Sequence, residues 1–73
     1  MEVFHDNFGN TATIKETMLF PYRGSKEKEI AFVLTLTCDY DNDFVYFVSV
    51  YETRKKAIEK LFSFSCGEWN KAA

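Results

Sequence analysis

Hydrophobic and polar residues alternate along most of the chain, and this period of two predicts β-strands. The clearest alternation runs over residues 29–40, and residues 11–20 show the same pattern. Residues 44–51 consist almost entirely of β-branched and aromatic types, which favour strands. Residues 2–8 form a further, shorter candidate. The pattern therefore predicts up to four strands, with the first supported by the fewest positions.

The period changes to that of a helix after Thr53, a residue type that often caps helix N-termini. From there the apolar residues recur at helical spacing and form a stripe on one face: Ala57, Ile58, Leu61 and Phe62. Gly67 in the pair Cys66-Gly67 is typical of a helix end, because glycine adopts the left-handed conformation found there. Trp69 follows this stop, and we expect it to fold back onto the core.

The order of elements predicts an α+β fold within a single domain, residues 1–73. Gly9-Asn10 suits a two-residue type II′ turn between the first two strands. Successive strands followed by one helix indicate an antiparallel sheet of three or four strands with the C-terminal helix packed on one face. The predicted core comprises Ile14, Met18, Phe32, Leu34, Leu36, Cys38, Val48, Ile58, Leu61, Phe62 and Trp69.

The last predicted strand is apolar on both faces, whereas a sheet covered by one helix should have one polar face. The residues expected on this second face are Phe44, Tyr46, Val48 and Val33. Three covers are open: the first strand or the Trp69 tail, a second copy of the chain, or another protein. Because exposed apolar patches on small proteins usually mark interaction sites, we interpret these residues as a protein-interaction surface.

Composition narrows the possible classes of protein. The chain has 73 residues and is 47% hydrophobic, which excludes a disordered chain and a multidomain enzyme. Its 9 basic and 11 acidic residues nearly balance, which argues against a globally basic nucleic-acid binder.

No apolar run approaches the roughly 18 residues of a membrane-spanning helix. The first residues do not show the charged segment followed by an apolar segment that marks a secretory signal peptide. We therefore expect a cytoplasmic protein in which Cys38 and Cys66 are reduced.

Candidate chemistry is sparse. Acidic residues at 39, 41 and 43 have the spacing that opens a calcium loop, but Phe44 stands where glycine is needed and Val50 where glutamate is needed. His5 is the only histidine, and its spacing from the two cysteines suggests neither a nucleophile–base pair nor a zinc site. The sequence therefore predicts no catalytic residues, no metal and no cofactor, and a protein that is not an enzyme.

The first turn of the helix is basic, although helix N-termini favour acidic residues. Cations combined with free backbone N–H groups form a good phosphate site. The residues that would bind the phosphate are Arg54, Lys55 and Lys56, with Arg23 and Lys26 from the loop between strands two and three. The alternative is a solvated helix face on which Glu52 and Glu59 neutralise part of the charge.

Two segments resemble a group of small proteins, without assigned activity, encoded on conjugative and other mobile elements of Gram-positive bacteria. The first is DNFGNTATI at residues 6–14, and the second is YETR at 51–54 with Ala57 and then GEW at 67–69. The acidic composition departs from the basic character of many members. The resemblance implies a bacterial, cytoplasmic accessory protein.

The strands-then-helix order also looks like the arm-type DNA-binding domains of integrases, whose exposed sheet face enters the major groove. Lys15 is the only clear cation on a strand here, and such faces need several. We therefore predict a non-enzymatic, homodimeric module that binds another protein. The alternative is a nucleic-acid-binding accessory protein that contacts phosphates through the basic helix start.

Overall fold

A computed structural model describes residues 1–19, 29–40, 44–64 and 68–72. Within these residues, five antiparallel strands form one sheet, and a single helix lies near the C-terminus. Their bounds are β1 (Glu2–His5), β2 (Asn10–Leu19), β3 (Glu29–Cys38), β4 (Phe44–Tyr51), α1 (Arg54–Ser63) and β5 (Asn70–Lys71). The order across the sheet is β4-β3-β2-β1-β5. The α+β prediction is confirmed.

The sheet has one strand more than predicted. Asn70 and Lys71 form β5, which pairs with β1 opposite His5 and Phe4. The N–H of Ala72 extends this pairing by donating to the carbonyl of Val3 at 2.7 Å. A two-residue strand has no measurable periodicity, which is why the pattern of the sequence does not predict it.

The turn between β1 and β2 differs from the predicted two-residue type. The N–H of Asp6 donates to the carbonyl of Asn10 at 3.2 Å, so three residues form the loop instead of the pair Gly9-Asn10. Gly9 is the last of them and has φ +81°, the left-handed conformation that three-residue hairpin loops favour at this position. The glycine is thus required, but at a different point of the turn.

The helix begins as predicted. Thr53 caps it, because its side chain accepts a hydrogen bond from the N–H of Lys56 at 3.1 Å. The helix ends at Ser63, with Phe64 as the C-cap, and the predicted stop at Cys66-Gly67 lies outside the described residues. The indole N–H of Trp69 donates to the carbonyl of Phe64 at 3.3 Å, so the tail supplies a partner for a carbonyl at the helix end.

The core lies between α1 and one face of the sheet. Its buried cluster contains Phe4, Ala12, Ile14, Leu34, Leu36, Ala57, Leu61 and Trp69. Phe32 and Ile58 pack against it while partly buried. The predicted burial of Ile14, Leu34, Leu36, Leu61 and Trp69 is confirmed.

Three residues predicted to be in the core are exposed: Met18 by 64%, Val48 by 58% and Phe62 by 54%. Met18 pairs with Ile30, which is exposed too, so this end of the β2–β3 hairpin lies outside the packed cluster. Val48 lies on the sheet face away from the helix. Phe62 follows Leu61 and therefore points about 100° away from it around the helix axis. Cys38 is only half-buried.

We call the sheet face away from α1 the open face. Val33, Thr35 and Val48 lie on it, and no element among the described residues covers it. The first strand and the Trp69 tail, one of the three covers that the sequence leaves open, do not lie over this face. β1 lies within the sheet, where it pairs with β2, and Trp69 belongs to the buried cluster on the helix side.

Candidate interaction surface

Among the described residues, the largest concentration of exposed apolar side chains lies on β4. We define the β4 surface as its five exposed residues: Phe44, Val45, Tyr46, Val48 and Val50. β4 is also the last strand of the sheet, so its outer edge lacks a strand neighbour within the described part of the chain. Such an edge presents backbone N–H and C=O groups that another strand can bind.

A β-bulge divides the β4 surface between the two faces of the sheet. The register shifts between Leu36 and Thr37, and Tyr46 is the extra residue of β4 at that point. Val48 then lies opposite Thr35 on the open face, whereas Phe44 lies opposite Cys38 on the helix side.

Because of the bulge, the residues predicted to form one interaction surface do not all lie on the same face of the sheet. Val33 and Val48 do share the open face, but Phe44 does not join them there. An extra residue reverses the alternation beyond it. Val45, which strict alternation places on the other face, lies on the open face instead. Val50 lies there too, as alternation with Val48 predicts, and both valines are about half exposed.

The helix holds β4 in place from one side. The ring of Phe47 lies 5.0 Å from the ring of Phe64, and the ammonium group of Lys60 lies within 5.7 Å of the Phe47 ring centre and 5.3 Å of the Phe64 ring centre. Aromatic and cation–π contacts of this kind each stabilise by about 0.5–1 kcal/mol. β4 is thus anchored through Phe47 while its outer edge stays exposed.

The edge has only one of the features that usually prevent strands from pairing with other molecules. The sequence FVYFVSVY contains no charged residue and no proline. Exposed edge strands normally carry lysine, proline or an inward-pointing charge. The bulge at Tyr46 is the one such feature here, and it leaves the stretch from Phe47 to Tyr51 in regular register with β3.

A polar cluster joins the first three strands at one end of the sheet. The hydroxyl of Thr11 donates to the two carboxylate oxygens of Asp39 at 2.8 and 3.0 Å. The Nδ1 atom of His5 lies 3.1 Å from the same hydroxyl oxygen. Because the hydroxyl proton points to Asp39, the imidazole is placed to donate to Thr11 and not to remove its proton. The arrangement ties β1, β2 and β3 together and does not activate a nucleophile.

Two of the three cations at the helix start are bound to carboxylates. Arg54 donates to both oxygens of Glu2, from Nε at 2.6 Å and from Nη2 at 2.5 Å, and Lys71 approaches Glu2 at 3.1 Å. The Arg54 guanidinium is the main reason that the pKa of Glu2 falls from its ordinary 4.5 to about 2, and Lys71 adds to the effect. Lys56 pairs with Glu52 at 3.3 Å.

These ion pairs bear on the phosphate site predicted at the basic start of the helix, because they already occupy two of its cations. Lys55 alone of the three cations has no ion pair with a described residue, while Arg23 and Lys26 lie outside the described residues. The structure therefore does not bring together the set of residues predicted to bind phosphate. Phosphate contact stays a prediction. The sequence could not identify Glu2 as the partner of Arg54, because 52 positions separate them.

The described residues contain no cluster of three metal-ligating side chains, and no helix within them is long and apolar enough to cross a membrane. The Cys38 thiol is free. Of the three acidic positions with calcium-loop spacing, which the sequence does not predict to bind a metal, 41 and 43 lie outside the described residues. A shallow depression of about 510 Å³ opens at the Tyr51 end of β4, lined by aliphatic side chains and by Glu29 and Glu52.

Comparison with known proteins adds no precedent for this surface. No protein-family model, no curated protein and no solved structure matches the chain. The chemistry of the β4 surface therefore has to be derived from its own residues.

Proposed function

We propose that this protein is a non-enzymatic interaction module that forms a homodimer through the β4 surface. The observation that carries the proposal is an uncharged edge strand on which five of eight residues are exposed. Of the eleven large hydrophobic side chains exposed in the described part of the chain, these five form the only group on a single element. A cytoplasmic accessory role, as the resemblance to mobile-element proteins implies, is part of the same proposal.

Association would take both the exposed valine side chains and the unpaired backbone groups of the strand edge out of water. Burying a valine side chain stabilises by about 1.5 kcal/mol or more, and the β4 surface offers three valines within six positions. Covering the strand edge also gives its outward N–H and C=O groups protein partners. A monomer would have to keep both in water, and contiguous exposed apolar patches on small monomers usually mark interaction sites.

The proposal predicts that one charge on the β4 surface weakens the dimer. Val48→Lys should raise the dimer dissociation constant roughly a hundredfold, because a two-fold dimer contains the substitution twice and each copy loses about 1.5 kcal/mol. Light scattering coupled to size-exclusion chromatography, over a wide range of concentration, gives the mass. Phe62→Lys is the matched control, since Phe62 is similarly exposed (54% against 58%) but lies on the helix.

The expected result is a dimer mass for the parent protein and for Phe62→Lys, and a monomer mass for folded Val48→Lys at the same concentration. A parent protein that remains monomeric throughout the range would contradict the proposal. So would equal loss of the dimer in both variants, because the effect would then come from added charge and not from the β4 surface.

A further inference from the structure

We infer that β5 is a releasable guard of the sheet: it occupies the edge of β1 that a strand of another copy would otherwise bind. β5 can leave this edge while the rest of the fold stays intact, and a copy whose β1 edge is uncovered associates with other copies through it. This inference concerns the edge opposite the β4 surface and does not depend on the proposed dimer.

The two edges of the sheet differ within the described part of the chain. On one side the sheet ends with β4, an uncharged strand of eight residues. On the other side it ends with β5, which has two residues, Asn70 and Lys71. Very short edge strands and lysine side chains are both usual means of preventing further strands from pairing. β5 combines the two.

β5 covers the outward backbone groups of β1. The N–H of Ala72 donates to the carbonyl of Val3 at 2.7 Å, and His5 lies opposite Asn70. The N–H and C=O of one residue point to the same side of a strand, and the side alternates from residue to residue. Val3 and His5 therefore direct these groups towards β5, while the other two residues of β1 direct theirs towards β2. Without β5, the outward groups would be unpaired.

Apolar burial does not explain the position of β5. The side chains of Asn70 and Lys71 are both exposed, so the strand contributes backbone pairing and charge and adds nothing to the core. Trp69 directly precedes β5, is buried, and donates its indole N–H to the carbonyl of Phe64. This anchor keeps β5 close to β1, so its pairing is intramolecular and competes well against a strand of another copy.

The contacts that hold β5 are few enough to break without unfolding the core. Lys71 binds Glu2 at 3.1 Å, and its side chain is 58% exposed. Glu2 keeps its two hydrogen bonds from Arg54 when Lys71 leaves, so release creates no unpaired carboxylate. Segments with few buried apolar contacts open locally, at a lower free energy than global unfolding.

Replacing Ala72 by proline tests the inference in the intact chain. Ala72→Pro removes the N–H that donates to Val3 and leaves the side chains of β5 unchanged. We expect the amide protons of Val3 and His5 to exchange roughly tenfold faster than in the parent protein, with β2 and β3 still protected. Ala72→Ser, which keeps the N–H, is the matched control and should behave as the parent protein does.

The second measurement is the mass in solution, by sedimentation velocity at matched concentrations. Two uncovered β1 edges can pair antiparallel about a two-fold axis, so the average mass of Ala72→Pro should reach at least about twice that of the parent protein at high concentration. The comparison is relative, so it holds for a monomeric and for a dimeric parent. A monomeric parent would contradict the proposed function and leave this inference standing.

Faster exchange at Val3 and His5 together with the added mass supports the guard. Faster exchange with an unchanged mass would overturn it, because an uncovered β1 edge would then not associate. Unchanged exchange would overturn it too, since β5 would not be releasable. The same response in Ala72→Ser would also count against it, because the effect would not come from the lost N–H.

A second variant covers the case in which Ala72→Pro does not fold. Lys71→Glu places a like charge beside Glu2 and should release β5 without altering the backbone. Lys71→Arg keeps the attraction and is its control. We expect the same gains in exchange and in mass for Lys71→Glu as for Ala72→Pro, and their absence in folded Lys71→Glu would overturn the inference.

Discussion

Gly9 shows how one residue determines the geometry of the β1–β2 hairpin. Its φ of +81° lies in the left-handed region, where a side chain is unfavourable. An added Cβ would also lie 1.9 Å from a ring atom of Tyr40. Asp6 completes the loop, since its carboxylate accepts hydrogen bonds from the N–H groups of Phe8 and Asn10, both at 2.9 Å.

We expect Gly9→Ala to lower the free energy of unfolding by about 1–2 kcal/mol, the cost of the left-handed conformation for a residue with a side chain. The Tyr40 ring is 83% exposed and can rotate away, so the backbone should account for most of the loss. Urea unfolding followed by circular dichroism measures the change. Asn7→Ala, an exposed position in the same loop, is the control, and an equal loss there would contradict the argument.

Asp6 illustrates a balance of opposing effects within the same loop. Partial burial raises the pKa of its carboxyl, but hydrogen bonds from the Asn10 side chain and from backbone N–H groups outweigh this effect and lower the pKa overall. The Asn10 side-chain amide donates to the second carboxylate oxygen at 2.8 Å. The carboxylate form is therefore the one that the folded loop stabilises.

At the scale of elements, Glu2 connects three pieces of secondary structure. It lies on β1, binds Arg54 at the start of α1 and Lys71 on β5, and so connects both ends of the described chain to the helix start. Its pKa falls to about 2 on folding, from an ordinary 4.5. This ion pair contributes stability above pH 4.5 that is lost as the pH falls through 2, because the unfolded chain binds the proton first.

We therefore expect Glu2→Gln to unfold more easily than the parent protein at pH 7, with the difference shrinking steadily as the pH is lowered from 4.5 towards 2. Thermal melting temperatures across this range measure it. Glu59→Gln is the control, because Glu59 is exposed on the helix and has no ion pair with a described residue. A pH-independent difference for Glu2→Gln would show that the ion pair does not stabilise the fold.

The sequence predicts elements well where local chemistry decides them. β4 spans the predicted residues 44–51 because every residue there except Ser49 favours strands, and Thr53 caps the helix because its hydroxyl reaches Lys56. β5 was missed because its formation depends on β1, which is distant in sequence. The bulge at Tyr46 was missed because its neighbours on β4 are all good strand formers and give no local sign of an extra residue.

The candidate surface was only partly predictable for the same reason. The sequence correctly places Val33 and Val48 together, since both lie on the Tyr51 side of the register shift. It misplaces Phe44, which lies beyond it. The ion pair between Arg54 and Glu2 is a tertiary contact between residues 52 positions apart, and no local pattern reports it.

At the scale of the whole molecule, the two faces of the sheet differ in how they are stabilised. The helix side carries the buried cluster around Leu34 and Leu61. On β2 and β3 the open face is largely polar: it carries several threonines, among them the opposed pair Thr13 and Thr35, and also Lys15, and these groups allow part of it to remain hydrated. The apolar exposure is therefore concentrated at the β4 side of the sheet, where the edge is also unpaired within the described chain.

Amide hydrogen exchange along β4, measured by NMR at two widely separated protein concentrations, tests the central claim most directly. In the single chain, alternate β4 amides point away from β3 and should exchange quickly. If a second copy pairs along this edge, these outward amides become protected at high concentration, while those bonded to β3 change little. Outward amides that exchange equally fast at both concentrations, in a protein whose other strands are protected, would contradict the account.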